Sequence, residues 1–110
     1  MTMDLSRFNT LADDTIEAIA DKVDDLLGDK IDADLQGGIL TMTIGGGGGQ
    51  YVVNKNGPMR QVWLASPVSG AWHFEWDESG HWLSTREPKL ALDAILAQEL
   101  NDRFGVTVAF

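Results

Sequence analysis

Residues 51–70 read YVVNKNGPMRQVWLASPVSG, and this run decides the architecture. Tyr51, Val52 and Val53 are strand formers, and the strand they open ends at Asn54. Lys55-Asn56-Gly57-Pro58 is a turn signal, Arg60 to Ser66 reads as the next strand, and Pro67 to Gly70 turns the chain again. Connections this short join antiparallel neighbours, because a parallel pair needs a crossover of about a dozen residues or more. Alternation along the second strand sends Val62 and Leu64 to one face and Gln61, Trp63 and Ala65 to the other.

The same pattern extends in both directions. Upstream, Ile31, Ala33 and Leu35 alternate with Asp32, Asp34 and Gln36, Gly37-Gly38 makes a turn, and residues 39–44 form another strand. Gly45 to Gly49 has the composition of a phosphate-binding loop but lacks the Gly-Lys-Ser/Thr that opens a helix, so it reads as a flexible hairpin connection. Downstream, Trp72 to Asp77 and His81 to Ser84 are strands separated by a tight turn. Trp72, Phe74 and Trp76 share one face, and with Trp82 they read as core.

Helical periodicity replaces alternation at both ends. Phe8, Leu11, Ala12, Ile16, Ile19, Ala20, Val23, Leu26 and Leu27 form an apolar stripe, with Asp4 or Ser6 as cap and Gly28 as stop. Leu92, Ile95, Leu96, Leu100 and Phe104 mark a last helix, with Pro88 in its first turn and Gly105 at its end. An extended tail from Val106 to Phe110 is placed to pack against the core. The reading is α+β: one domain over residues 1–110, a two-layer α-β sandwich. An antiparallel meander of about six strands is covered on one face by the N- and C-terminal helices.

Composition narrows the function. Apolar content of 44% is ordinary for a folded domain of 110 residues. Net charge is −9, which leaves no basic footprint for nucleic acid or an anionic membrane surface. There is no cysteine, hence no disulfide and no thiolate chemistry. No apolar run approaches the roughly 18 residues of a membrane span. The N-terminus carries neither a signal-peptide core nor an Arg-rich transit segment, which predicts a soluble chain, intracellular from the start or already processed.

The charge is also lopsided. Ten of the 17 carboxylates fall within residues 1–34, a stretch whose only basic residues are Arg7, Lys22 and Lys30. At roughly 100° per residue, Asp13, Asp14, Glu17, Asp21, Asp24 and Asp25 share an arc of about 120° opposite the apolar stripe. Asp29, Asp32 and Asp34 follow. No lysine lies inside the arc, and Arg7 only touches its edge. Many acidic helix faces are merely solvated. Here the like-charge pairs each cost about 0.2–0.5 kcal/mol, and Asp24 and Asp25 sit where the helix dipole disfavours anions. A face selected for stability would intersperse lysines. Clustered carboxylates without imidazole or thiolate suit hard, exchangeable cations such as magnesium, calcium, manganese or iron, or an arginine-rich protein. No EF-hand loop is present.

Two further features stand apart. Trp63 on the open face is either an interface anchor or half of a cross-strand pair. His73 shares a strand face with Glu75 and Asp77, which is either a cation site or plain surface. No nucleophile or zinc motif appears, and an open carboxylate face has no pocket to separate two pKa values. An enzyme is the poorer reading.

These residues resemble the frataxin family, including its bacterial CyaY members. Residues 51–70 are similar to the family's Asn-Lys…Pro…Gln-hydrophobic-Trp-Leu-Ser-Pro core. Leu11 to Thr15, Gly38 to Thr41 and Ile95 to Leu100 add matches in the same order. The resemblance implies an α-β sandwich that binds iron weakly, as Fe(II) or Fe(III), and adjusts a cysteine desulfurase and a scaffold protein in iron–sulfur cluster assembly. The family's acidic ridge corresponds to Asp13, Asp14, Glu17, Asp21, Asp24 and Asp25, with Asp32 and Asp34 on the first strand. Its scaffold-facing sheet residues correspond to Asn54, Gln61 and Trp63, with His73 beside them. Asn56 stands where mitochondrial members carry glutamine and His73 where they carry arginine, so the scaffold contact differs in detail. The resemblance further implies a monomer with iron-dependent oligomers, in a bacterial cytoplasm or, for a processed eukaryotic chain, the mitochondrial matrix. Ferroxidase and iron-storage activity is the enzymatic alternative. A generic divalent-cation or basic-protein binding module is the other.

Overall fold

The computed structural model describes residues 3–110, and in it two helices pack on one face of an antiparallel sheet. In chain order the elements are α1 (Leu5–Leu27), β1 (Ile31–Gln36), β2 (Ile39–Ile44), β3 (Gln50–Asn56), β4 (Gln61–Ser66), β5 (Gly70–Asp77), β6 (His81–Ser84) and α2 (Leu92–Phe104). The six strands lie in sequence order β1-β2-β3-β4-β5-β6, the meander that the short connections require. Among the described residues no helix is long and apolar enough to cross a membrane.

The helix α1 is capped by Asp4, whose carboxylate accepts the Arg7 amide hydrogen bond at 2.9 Å, and is followed by Gly28 at its C-terminal end. Its buried residues are Phe8, Ala12, Ile16, Ile19, Val23 and Leu27, spaced three or four apart. They meet the alternate strand residues Leu40, Met42, Ile44, Tyr51, Val53, Val62, Leu64, Trp72, Phe74 and Trp82. Leu92, Ile95, Leu96 and Leu100 complete this core from α2. Each fully buried large side chain contributes about 1.5–3 kcal/mol, so the core rather than helix propensity holds α1 in place.

Several boundaries differ from the sequence expectation. The strand β3 continues past Asn54 to Asn56, because Lys55 pairs with Val62 and Asn56 with Gln61. The connection to β4 is therefore residues 57–60, with Arg60 at a φ of 53°. The glycine run after β2 contains a 3-10 turn at Gly45–Gly47. Pro88 is not in the last helix. It follows a cis peptide bond in the connection from β6, which doubles back as a closed loop: the Ser84 amide donates to the Leu90 carbonyl at 2.8 Å, and Leu83 bridges Ala91 in antiparallel fashion. The helix α2 therefore starts only at Leu92. Gly105 closes it in the left-handed conformation, φ 66°, donating its N–H to the Asn101 carbonyl. The tail packs as expected: Val108 is buried, and its amide donates to Asn101 Oδ1 at 2.7 Å.

Candidate functional site

Because the core consumes one side of α1, the opposite side is left to the acids. Asp14, Glu17, Asp21, Asp24 and Asp25 are all exposed, and none of them has an ion-pair partner within 4.0 Å among the described residues. Asp13 differs. It is half-buried, and Lys55 reaches across from β3 to donate from Nζ to its Oδ1 at 2.8 Å. Arg7, expected at the ridge's edge, instead pairs with Glu78 at 3.2 Å. Lys55 is absent from the residues that the sequence singles out, because the turn signal Lys55-Asn56-Gly57-Pro58 begins at it. Its signal was parity, since Lys55 lies two residues beyond the buried Val53 and so faces α1.

The ridge continues round the edge of the sheet. Strand β1 is an edge strand, and Asp32 and Asp34 are exposed opposite Thr43 and Thr41. Their parity, opposite to buried Ile31, puts them on the open face rather than the helix face. The acids therefore occupy both sides of one edge. Leu26, assigned by period to the apolar stripe, is exposed beside Asp25.

On the open face, register brings Ile39, Asn54, Trp63 and His73 into one row. Trp63 is half-buried rather than free, stacked on His73 with ring centroids 4.2 Å apart and planes at 13°. Its Nε1 donates to Gln61 Oε1 at 2.8 Å, and Gln61 Nε2 donates to Glu75 Oε2 at 3.3 Å. Gln61 lies on the open face as expected but is covered by these neighbours. Trp63 thus forms a cross-strand pair that still presents an edge to solvent. The Asn54 side chain, also half-buried, donates weakly to the neighbouring Lys55 carbonyl at 3.5 Å.

His73, Glu75 and Asp77 do not converge. His73 is held by Trp63 and Glu75 by Gln61. Asp77 accepts from Ser79, whose side-chain and backbone hydrogen bonds keep its carboxyl below the ordinary carboxylate range. Trp72, Phe74 and Trp82 are core, whereas Trp76 is half-buried, packed edge-on to Trp82 with a buried indole N–H that has no partner.

Among the described residues, no three histidine or carboxylate groups close into a ready coordination shell. What the ridge offers is a row of outward carboxylate oxygens, spaced along the helix rather than gathered round one point. Such a donor set fits a hard, hydrated ion, iron included, held loosely and released quickly.

With this geometry in hand, the comparisons with known proteins are specific. The family model for the frataxin-like domain matches residues 1–106. The mitochondrial frataxin homolog of Schizosaccharomyces pombe is 39% identical over 108 residues, covering 94% of this chain and 67% of that protein. Mitochondrial frataxin of Caenorhabditis elegans is 31% identical, covering 86% of this chain and 72% of its own. Among solved structures, frataxin from Psychromonas ingrahamii superposes with a TM-score of 0.81 at 26% identity, over 97% of both chains. A trimeric frataxin from the yeast Saccharomyces cerevisiae, in a ferrous complex, gives 0.77 at 35% identity over 87% of both. The chain belongs to the frataxin family.

Proposed function

We propose that the chain is an iron-binding accessory protein of iron–sulfur cluster assembly that adjusts a cysteine desulfurase–scaffold complex. One observation carries the reading: five exposed carboxylates on α1 have no ion-pair partner among the described residues. The ferrous complex of the yeast relative supports iron as the cation. The ridge of Asp13, Asp14, Glu17, Asp21, Asp24 and Asp25, with Asp32 and Asp34 beyond it, holds Fe(II) or Fe(III) weakly and steers a basic surface of the desulfurase to the same face. Asn54, Gln61, Trp63 and His73 meet the scaffold, with the stacked Trp63–His73 pair as a preorganised apolar anchor. The site of action is the bacterial cytoplasm, or the mitochondrial matrix for a eukaryotic source.

The test is reconstitution with the cognate desulfurase and scaffold, comparing wild type with the triple variant Asp21→Lys, Asp24→Lys, Asp25→Lys. The variant loses desulfurase binding and its effect on cluster formation. If it binds and acts as wild type does, the reading fails. A second reading, iron oxidation with storage in an oligomer, is favoured by the trimeric form of the yeast relative. It requires oxygen consumption with ferrous iron over several turnovers, coupled to assembly of the chain.

A further inference from the structure

Asn56-Gly57 is the one asparagine–glycine step in the chain; Asn9, Asn54 and Asn101 precede Thr10, Lys55 and Asp102. It falls where β3 gives way to the turn into β4. Asn56 pairs with Gln61 as the last rung of the ladder, and Gly57 opens the turn. Both are half-exposed, so water reaches them. The Asn56 carboxamide is folded forward over this turn, because its Oδ1 accepts the Met59 amide hydrogen at 2.9 Å. That bond polarises the side-chain carbonyl, while Nδ2 donates to no protein group among the described residues. The Gly57 carbonyl accepts from the Arg60 amide at 3.1 Å and from the Arg60 guanidinium as well. A fixed positive charge therefore stands beside the Gly57 amide and favours loss of its proton.

Backbone conformation does not require Gly57. Eight other glycines hold a positive φ, and Gly57 is not among them. A Cβ at this position would meet only the Leu5 Cδ1, at 3.4 Å. What Gly57 supplies is an amide nitrogen with no side chain to crowd it. We propose that Asn56 is a site of spontaneous deamidation, through a succinimide closed with the Gly57 nitrogen. The Gly57 amide gives up its proton, its nitrogen bonds to Asn56 Cγ, and Nδ2 leaves with a proton as ammonia. Water then opens the ring at either carbonyl, giving aspartate or isoaspartate at position 56. Cyclisation has to open one rung, Asn56–Gln61, and strand ends fray at little cost. Both products place a new carboxylate in the open-face row of Asn56, Gln61 and Glu75. Isoaspartate also routes the backbone through the side-chain carbons, which displaces the last rung and the cap on the Met59 amide.

The test is incubation of the folded protein at neutral and mildly alkaline pH. Peptide mapping by mass spectrometry and labelling with an isoaspartate carboxyl methyltransferase report the outcome. Position 56 gains about one mass unit and becomes a methyl acceptor, faster at the higher pH, while Asn9, Asn54 and Asn101 stay intact. Gly57→Ala keeps the wild-type circular dichroism and slows the conversion about tenfold or more, because the methyl crowds the attacking nitrogen. Asn56→Ser, whose hydroxyl still caps the Met59 amide, takes up no methyl label. Conversion at position 56 no faster than at the other three asparagines overturns the inference, as does a Gly57→Ala chain that converts at the wild-type rate. Conversion only after unfolding in urea overturns it too, because the fold would then be holding the carboxamide away from the nitrogen.

Discussion

Replacing Asp21 by Asn tests whether the ridge is held at the expense of the fold. On α1, Asp21 faces Glu17 one turn before it and Asp24 and Asp25 one turn after. All four are exposed, and none is in an ion pair among the described residues. Three like-charge pairs at about 0.2–0.5 kcal/mol each would be relieved together, a gain of about 1 kcal/mol at low salt. Asp and Asn differ little in helix propensity, so the change isolates charge. The helix has no basic residue in its last turn to offset these acids against the dipole. For a domain of this size the gain corresponds to a rise in Tm of about 4 °C. The assay is thermal unfolding followed by circular dichroism at low and high salt. Raising the salt from about 0.01 M to about 1 M shortens the screening length from about 30 Å to about 3 Å, and the gain should vanish. An unchanged or lower Tm at low salt refutes the reasoning, as does a gain that survives high salt.

Other expectations follow from side chains far from the ridge. Glu99 on α2 accepts hydrogen bonds from the Tyr51 hydroxyl at 2.9 Å, Ser66 Oγ at 2.6 Å and Ser69 Oγ at 2.6 Å. Glu99→Ala leaves these three hydroxyl donors without their acceptor and should destabilise by about 2–4 kcal/mol in urea unfolding; a loss below about 1 kcal/mol would show that water replaces the carboxylate. Tyr51 is the single tyrosine, and burial first, then the Glu99 contact, pushes its pKa upward. Folding therefore favours the protonated phenol. That stability is present below about pH 10, the unfolded value, and is lost as pH rises from there towards the higher folded value. Tyrosinate absorbance should stay absent at pH 10 while the protein is folded, and its appearance with intact circular dichroism would contradict this. Trp63→Ala removes the stack on His73, worth about 0.5–1.5 kcal/mol of stability beyond the area it buries, and should abolish scaffold binding in a pull-down; retained binding would show that Trp63 serves only the sheet.

Much of this molecule was legible because two periods, near 3.6 and near 2, sort its residues without knowledge of the fold. Period gives direction but not what lies beneath. Phe8 and Leu26 are 18 residues apart, five full helical turns, and project at the same angle. Phe8 is buried and Leu26 is 44% exposed, so at the last turn that face of α1 is left uncovered by the described residues. The displaced end of β3 has a different origin. Lys55 and Asn56 are weak strand formers beside a strong turn signal, yet the ladder to Val62 and Gln61 extends through them. That extension is what aims Lys55 at Asp13. The stacking of Trp63 on His73 required register between β4 and β5, which alternation alone does not set.

The placement of the acids on both sides of β1 joins two surfaces that a helix ridge alone would leave separate. The α1 acids lie on the helix layer, and Asp32 and Asp34 lie on the open face with Ile39, Asn54 and Trp63 further along it. A basic partner gripping the β1 edge can touch both layers and still reach the Trp63–His73 stack. The outward carboxylates also deter edge-to-edge pairing of β1 with another strand. A one-signed edge destabilises the isolated chain, and α1 tolerates it because six buried side chains on its other side anchor the helix. At about 1.5–3 kcal/mol for each large buried residue, that anchoring exceeds the repulsion of about 1–2 kcal/mol several times over. The apolar stripe of α1 is thus what permits its opposite face to carry like charges at a cost in stability.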